Sequence, residues 1–134
     1  MSAIMGVIQI LAVLILFSST SLASKVCDIR NYGAKGNGKT KNTKAIQAAV
    51  DACCCSTNGL IGTVFVPDGI YLTGSFVMKS FVQLNITKTG VILGSNDESD
   101  YPLVPVLPSY GTGRDVPTDL RYRALVFAEN ATDL

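Results

Sequence analysis

Short apolar runs recur along this chain at nearly fixed intervals, and that recurrence restricts the fold more than any other feature. Val64 and Val66 precede Leu84 and Ile86 by 20 residues, and Ile70 and Leu72 precede Val91 and Leu93 by 21. Leu125 and Phe127 follow Leu84 and Ile86 by 41, about twice that interval. The runs TVFV, IYL, SFVMK, FVQLNI and VILG are rich in Val, Ile, Phe and Tyr and are separated by Gly, Pro or Lys-Thr, the pattern of short strands between turns. A period just above twenty residues, built from such strands, describes a coil stacked on a coil. In a parallel β-helix each strand lies about 4.8 Å above its equivalent in the previous coil. Inward side chains then form rows, so hydrophobicity repeats even where identity does not. Val64, Val66, Ile70, Leu72, Leu84, Ile86, Val91, Leu93, Leu125 and Phe127 are expected to point inward in such rows. A sandwich or barrel is also made of short strands; antiparallel hairpins throughout would mark it.

One segment has a different period. In NTKAIQAAVDACC, residues Ile46, Ala49, Val50 and Cys53 share one face at helical spacing, with Lys44, Gln47 and Asp51 off it. Asn42 or Thr40 is the expected N-cap. A β-helix has an open end with unpaired edges, and an Ala-rich amphipathic helix laid across that end covers it, as terminal caps do in other repeat proteins.

Just before this helix, GAKGNGKT (Gly33 to Thr40) matches the phosphate-cradling pattern G-x-x-x-x-G-K-[ST]. That loop requires a buried strand before it, a helix starting at the Lys-Thr and a second strand ending in a magnesium-binding Asp. Here KVCDIRNY is mixed and charged. A helix capped by Asn42 starts too late. The run TVFVPD reaches Asp68 only through Pro67, and Gly69 opens a turn. The glycines read as a turn between strand and helix, and no nucleotide is expected.

Residues 1–23 read as a signal peptide. Ala3 to Phe17 are almost all apolar, with small residues at Ser21 and Ala23 before an expected cleavage near Ala23. The run is short of the roughly 20 residues a span needs. No Lys or Arg precedes it, and a signal anchor is the alternative. Residues 24–134 then form at most one domain. A net charge of +1 leaves no footprint for nucleic acid. No membrane association is expected after signal cleavage. In an exported chain the four cysteines, Cys27, Cys53, Cys54 and Cys55, are expected to pair. Cys53 lies on the Ile46–Val50 face and looks toward the domain, while Cys54 is turned about 100° away, so the expected disulfide is Cys27–Cys53. Two sequons, at Asn85 and Asn130, are candidate glycosylation sites.

The segment SNDESDYPLVPVLPSYGTGRDVPTDLRYR interrupts the period with four prolines and is expected to be a long loop in place of a coil. Its acids Asp97, Glu98 and Asp100 read as a solvated turn. Gly111-Thr112-Gly113 has no helix behind it, since Pro117 follows. Arg114, Arg121 and Arg123 are the substrate-binding candidates, because a guanidinium meets an anionic sugar through forked hydrogen bonds. The alternative is that they pair with Asp115 and Asp119 or cover apolar surface.

NYGAKGNGKTKNTKAIQAAVDACC, GTVFVPDGIYLTGSFVMKS, GVILGSNDESDYPLVPVLPSYGTGRD and RYRALVFAENATDL together resemble the amino-terminal part of plant polygalacturonase-like proteins of glycoside hydrolase family 28. The resemblance implies an all-β chain, a right-handed parallel β-helix of which only the first coils are present, with an amino-terminal capping α-helix. It also implies secretion to the cell wall and hydrolysis of galacturonosyl linkages in pectin, with pectic polysaccharide as partner and no cofactor or metal. The family usually has acids where this chain has Asn37 and Lys41, and consecutive glycines where it has Leu60-Ile61-Gly62. Those departures bear on local turns and on the cap.

An inverting glycosidase sets an acid and a base on opposite sides of the bond, about 6.5–9.5 Å apart. The family's motifs for this task are Asn-Thr-Asp, Asp-Asp, Gly-His-Gly and Arg-Ile-Lys, and none occurs in this sequence, which contains no histidine. Asn42-Thr43 is followed by Lys44, and Ala131 separates Asn130 from Thr132. No catalytic residue is assigned, and this polypeptide alone is expected to be inactive. Two other readings remain: a different β-helix pectin enzyme such as a lyase, for which no calcium-ligand cluster is evident, and a truncated wall protein that holds pectin without cleaving it.

Overall fold

Parallel pairing between strands far apart in sequence organises the chain. The computed structural model describes residues 24–54, 60–106 and 120–134; the expected leader at 1–23, Cys55, Arg114 and the Gly111–Gly113 stretch lie outside them. The strands are β1 (Val26–Asp28), β2 (Gly62–Val66), β3 (Gly69–Thr73), β4 (Phe76–Val77), β5 (Val82–Ile86), β6 (Gly90–Gly94), β7 (Leu103–Pro105), β8 (Leu120–Tyr122) and β9 (Val126–Phe127). The helix α1 spans Thr43–Cys53. Three parallel ladders form, β1-β2-β5, β3-β6 and β4-β9, and, among the described residues, only β7 and β8 pair antiparallel.

The ladders have the registers that the spacing implies. Val64 lies beside Leu84 and Val66 beside Ile86. Ile70 lies beside Val91 and Leu72 beside Leu93. In a parallel pair, residues in register point to the same side, so these are true rows. Val64 and Val66 are fully buried, and Leu84 packs against the same core. Ile86 stands directly over Val66 yet is 42% exposed, because no described strand lies above it.

The expected facing is overturned for the second ladder. Tyr71 is 1% exposed and Thr73 fully buried, while Ile70 and Val91 are 46% and 45% exposed and Leu93 42%. The inner row is Tyr71 under Ile92, and the apolar residues flanking them face outward. Side chains alternate along a strand, so both faces of an apolar strand share one period. The interval identifies the row but not its side.

The third copy of the period also falls elsewhere. Leu125 and Phe127 do not continue the rows of Leu84 and Ile86; Phe127 pairs with Val77, and Val126 with Phe76. That 50-residue separation is one coil plus the 29 residues from Ser95 to Arg123. The chain leaves the coil, makes a short 3-10 turn (Glu98–Asp100) and the β7–β8 pair, and resumes on the same rung. After β9 it returns over the previous coil: Phe81 N donates to Thr132 O at 3.1 Å.

Helix α1 buries Ile46, Ala49, Val50 and Cys53, the face that its periodicity marks, against β1, β2 and β4. Cys27 of β1 and Cys53 are disulfide-bonded, with Cα atoms 6.0 Å apart. Asn42 occupies the N-cap position but makes no side-chain capping bond. Its side chain is 1% exposed and ties backbone together instead, accepting from Lys35 N at 2.7 Å and donating to Lys35 O and Thr40 O at 3.1 and 2.8 Å. At the helix start, Thr43 Oγ1 accepts from Gly74 N at 2.8 Å.

Candidate functional site

The phosphate-loop look-alike is a rung of the coil. Ile70 N donates to Gly36 O at 3.1 Å, Gly38 N to Ile70 O at 2.7 Å and Asn42 N to Leu72 O at 2.8 Å. Gly36 to Asn42 therefore runs beneath β3 and closes its lower edge. Lys39 N and Thr40 N both donate to Asn37 Oδ1, at 3.0 and 2.9 Å. Two of the amides a phosphate would need are thus already bonded, and the helix begins only at Thr43. Asn37 performs the turn-forming role with an amide oxygen in place of a carboxylate.

Lys41 has a different task. Its Nζ lies 3.0 Å from Asp97 and 2.8 Å from Asp100. The acidic cluster is therefore not merely a solvated turn: it is tied to the cap segment more than fifty residues away. Asp97 also accepts from the Ser99 hydroxyl and amide, at 2.6 and 3.0 Å. The Ser99 hydroxyl first, then Lys41, hold the Asp97 carboxyl at about 2. Lys41, with help from Ser95, lowers that of Asp100. Tyr122 of β8 donates to Glu98 at 2.8 Å.

Three further acids are held the same way. Asp28 is lowered by Arg30, Asp51 by Lys79 and Asp68 by Thr87. Among the described residues, every carboxyl whose titration is displaced is displaced downward. A general acid for glycoside cleavage needs the reverse, a carboxyl kept protonated near the working pH.

Arg121 and Arg123 sit close in sequence but do different things. Arg123 holds the base of the excursion: its Nε donates to Ser75 Oγ at 2.8 Å, and its guanidinium carbon lies 5.8 Å above the Phe127 ring. It covers apolar surface, the alternative that the sequence left open. Arg121, on β8, lines a groove of about 390 Å³ with Val104, Pro105, Val106, Phe127, Ala128 and Glu129. Its Nε is buried and, among the described residues, has no hydrogen-bond partner. Nothing in the sequence distinguishes the two arginines; the difference comes from which one lies beside Ser75. Asn85 and Asn130 are both exposed, Asn85 on the outward side of β5.

Stacked coils closed at one end by a helix have counterparts among known proteins. A family model described as "Rhamnogalacturonase A/epimerase, pectate lyase-like" matches residues 26–94. The chain belongs to this pectate lyase-like family. A probable polygalacturonase from Vitis vinifera is 37% identical over 118 residues, covering 88% of this chain and 24% of the relative. The exo-poly-alpha-D-galacturonosidase of Dickeya chrysanthemi is 40% identical over 93 residues, 69% of this chain and 15% of the relative. The family 28 exopolygalacturonase structure from Yersinia enterocolitica superposes with a TM-score of 0.65 at 31% identity, over 83% of this chain and 18% of that one. The pectate lyase-like chain shares the right-handed parallel β-helix of such neighbours. It spans about a quarter or less of the length of these relatives.

Proposed function

We propose that residues 24–134 are the amino-terminal cap and first coils of a polygalacturonase-type β-helix, and that residues 1–23 are the signal peptide that exports it. In this reading the whole protein hydrolyses galacturonosyl linkages in pectin at the cell wall, and the described residues contribute its foundation rather than its acid and base. The observation that carries this is the pairing of ladders that are closed below and open above. Helix α1 and the Gly36–Asn42 rung cover the lower end, whereas at the other no described strand lies above β5 and Ile86, over buried Val66, is exposed. The downward-shifted carboxyls support a structural part for this segment. Glycans at Asn85 and Asn130 fit the same reading, since both side chains are accessible. A lyase, or a protein that holds pectin without cleaving it, has no feature among the described residues that favours it over hydrolysis.

A chimera tests the proposal. Residues 24–134 replace the matching part of the grapevine relative, and reducing-end release from polygalacturonate is measured. Turnover by the chimera, with none from residues 24–134 alone, is the expected result. A folded chimera that only retains polygalacturonate on a column, or releases unsaturated products, counts against it.

A further inference from the structure

We propose that Asn37–Gly38 is a deamidation site that the cap rung holds shut, and that its aspartyl product fits the turn already built there. Gly38 has no Cβ to shield its backbone nitrogen, and Asn37 is exposed. The reaction needs only water. Gly38 N bonds to Asn37 Cγ and gives up its proton, while Nδ2 takes a proton and leaves as ammonia. Water then opens the cyclic imide. Attack at Cγ yields aspartate; attack at the main-chain carbonyl yields isoaspartate, whose backbone is one carbon longer. The turn prepares the electrophile. Asn37 Oδ1 accepts from Lys39 N and Thr40 N at 3.0 and 2.9 Å, and donors on a carbonyl oxygen stabilise the charge that gathers there under attack. The nucleophile is withheld. Gly38 N donates to Ile70 O at 2.7 Å, where Asn37 bridges to Ile70 in parallel, and Nδ2 donates to Thr40 Oγ1 at 3.0 Å. Cyclisation therefore waits for the rung to lift off β3, a local opening smaller than global unfolding. Once the rung recloses, an aspartate at this position offers a charged oxygen to the same two amides, whereas an isoaspartate displaces Gly38 from Ile70. Each modified chain thus records an opening of the cap edge.

The test incubates the full chain, with its Cys27–Cys53 link formed, at neutral pH beside a synthetic peptide of residues 33–42. Mass-spectrometric peptide mapping follows Asn37; the other Asn-Gly pair, Asn58-Gly59, lies outside the described residues and is mapped on a separate peptide. Asn37 should deamidate about tenfold or more slowly in the chain than in the peptide. Denaturant below the unfolding midpoint should raise that rate in step with hydrogen exchange of the Gly38 amide. Gly69→Ala, whose Cβ would meet the Gly36 Cα at 3.1 Å one residue before Ile70, should raise both further. The denaturant series decides the matter if that variant does not fold. Asn37→Asp should keep the Gly38 amide protected. Equal rates in chain and peptide, deamidation that rises without Gly38 exchange, or loss of Gly38 protection in the Asn37→Asp chain overturns the proposal.

Discussion

Gly69 lies on Gly36 at the same corner of successive coils, so closely that a Cβ on Gly69 would sit 3.1 Å from the Gly36 Cα and from its carbonyl oxygen. Gly69 also has a φ of 134°, a conformation that a side chain disfavours. Gly69→Ala therefore combines backbone strain of about 1–3 kcal/mol with a clash against backbone that cannot turn aside. Gly33→Ala is the control: its φ is 94°, but nothing lies within 4 Å, so only the conformational cost of about 1–2 kcal/mol applies. Urea midpoints of the two variants in the chimera should fall in that order. Equal losses would show that the corner relaxes.

Ser99 and Lys41 together set the acid behaviour of the excursion's first turn. Asp97 has a folded pKa of about 2 against an ordinary 3.8, and Asp100 is also lowered. A depressed carboxyl stabilises the fold fully above its unfolded pKa and loses that contribution as pH falls through the folded one, so the tie should hold to well below pH 4. Carboxyl NMR titration of Lys41→Met should return Asp100 most of the way to its ordinary value, because Lys41 is its leading partner. Asp97 should move less, because Ser99 is its leading partner. An unchanged Asp100 would mean that the ion pair does not persist in solution.

The cap disulfide closes a 26-residue separation. On the chain-entropy account, Cys27→Ser should cost about 3.5 kcal/mol. Peptide mapping of the oxidised chain should join Cys27 to Cys53. A link from Cys27 to Cys54 or Cys55 would contradict the arrangement in which Cys53 shares the Ile46–Val50 face.

Residues 24–134 alone should not hydrolyse polygalacturonate. The displaced carboxyls are held as anions, and the motifs that supply the family's acid and base are missing from the sequence. The exposed upper edges of β5 and β6 should also favour association and broad unfolding. Purified chain should release no reducing ends above a denatured control. Turnover abolished by changing one Asp of this chain would mean that one of these tethered acids is catalytic after all.

Much of this architecture is legible in the sequence, but unevenly. The Val64–Leu84 and Ile70–Val91 rows follow from spacing alone, and so does the buried face of α1, because both are periodicities of the chain. The inner position of Tyr71 does not follow, since IYL is apolar on both faces and only packing against the cap decides between them. The place of Phe127 is hidden by the inserted 29 residues, which shift every later interval. At the groove, the sequence supplies two arginines of one type. Which of them keeps an Nε without an acceptor among the described residues depends on Ser75, whose hydroxyl accepts from Arg123 and donates to Ala124 O at 2.6 Å.

The excursion departs and returns at one point. Ser75 N donates to Asp100 O, and Arg123 N donates to Pro102 O at 2.9 Å, so both legs are gripped before the segment extends. Closing a longer loop across a fixed base adds only about 0.6 kcal/mol for each doubling of length. The rungs on either side are therefore insulated from what is carried between those legs. Lineages that keep this base can lengthen, shorten or replace the segment without re-registering the coils. An engineer can use the same base as a socket for a foreign binding loop.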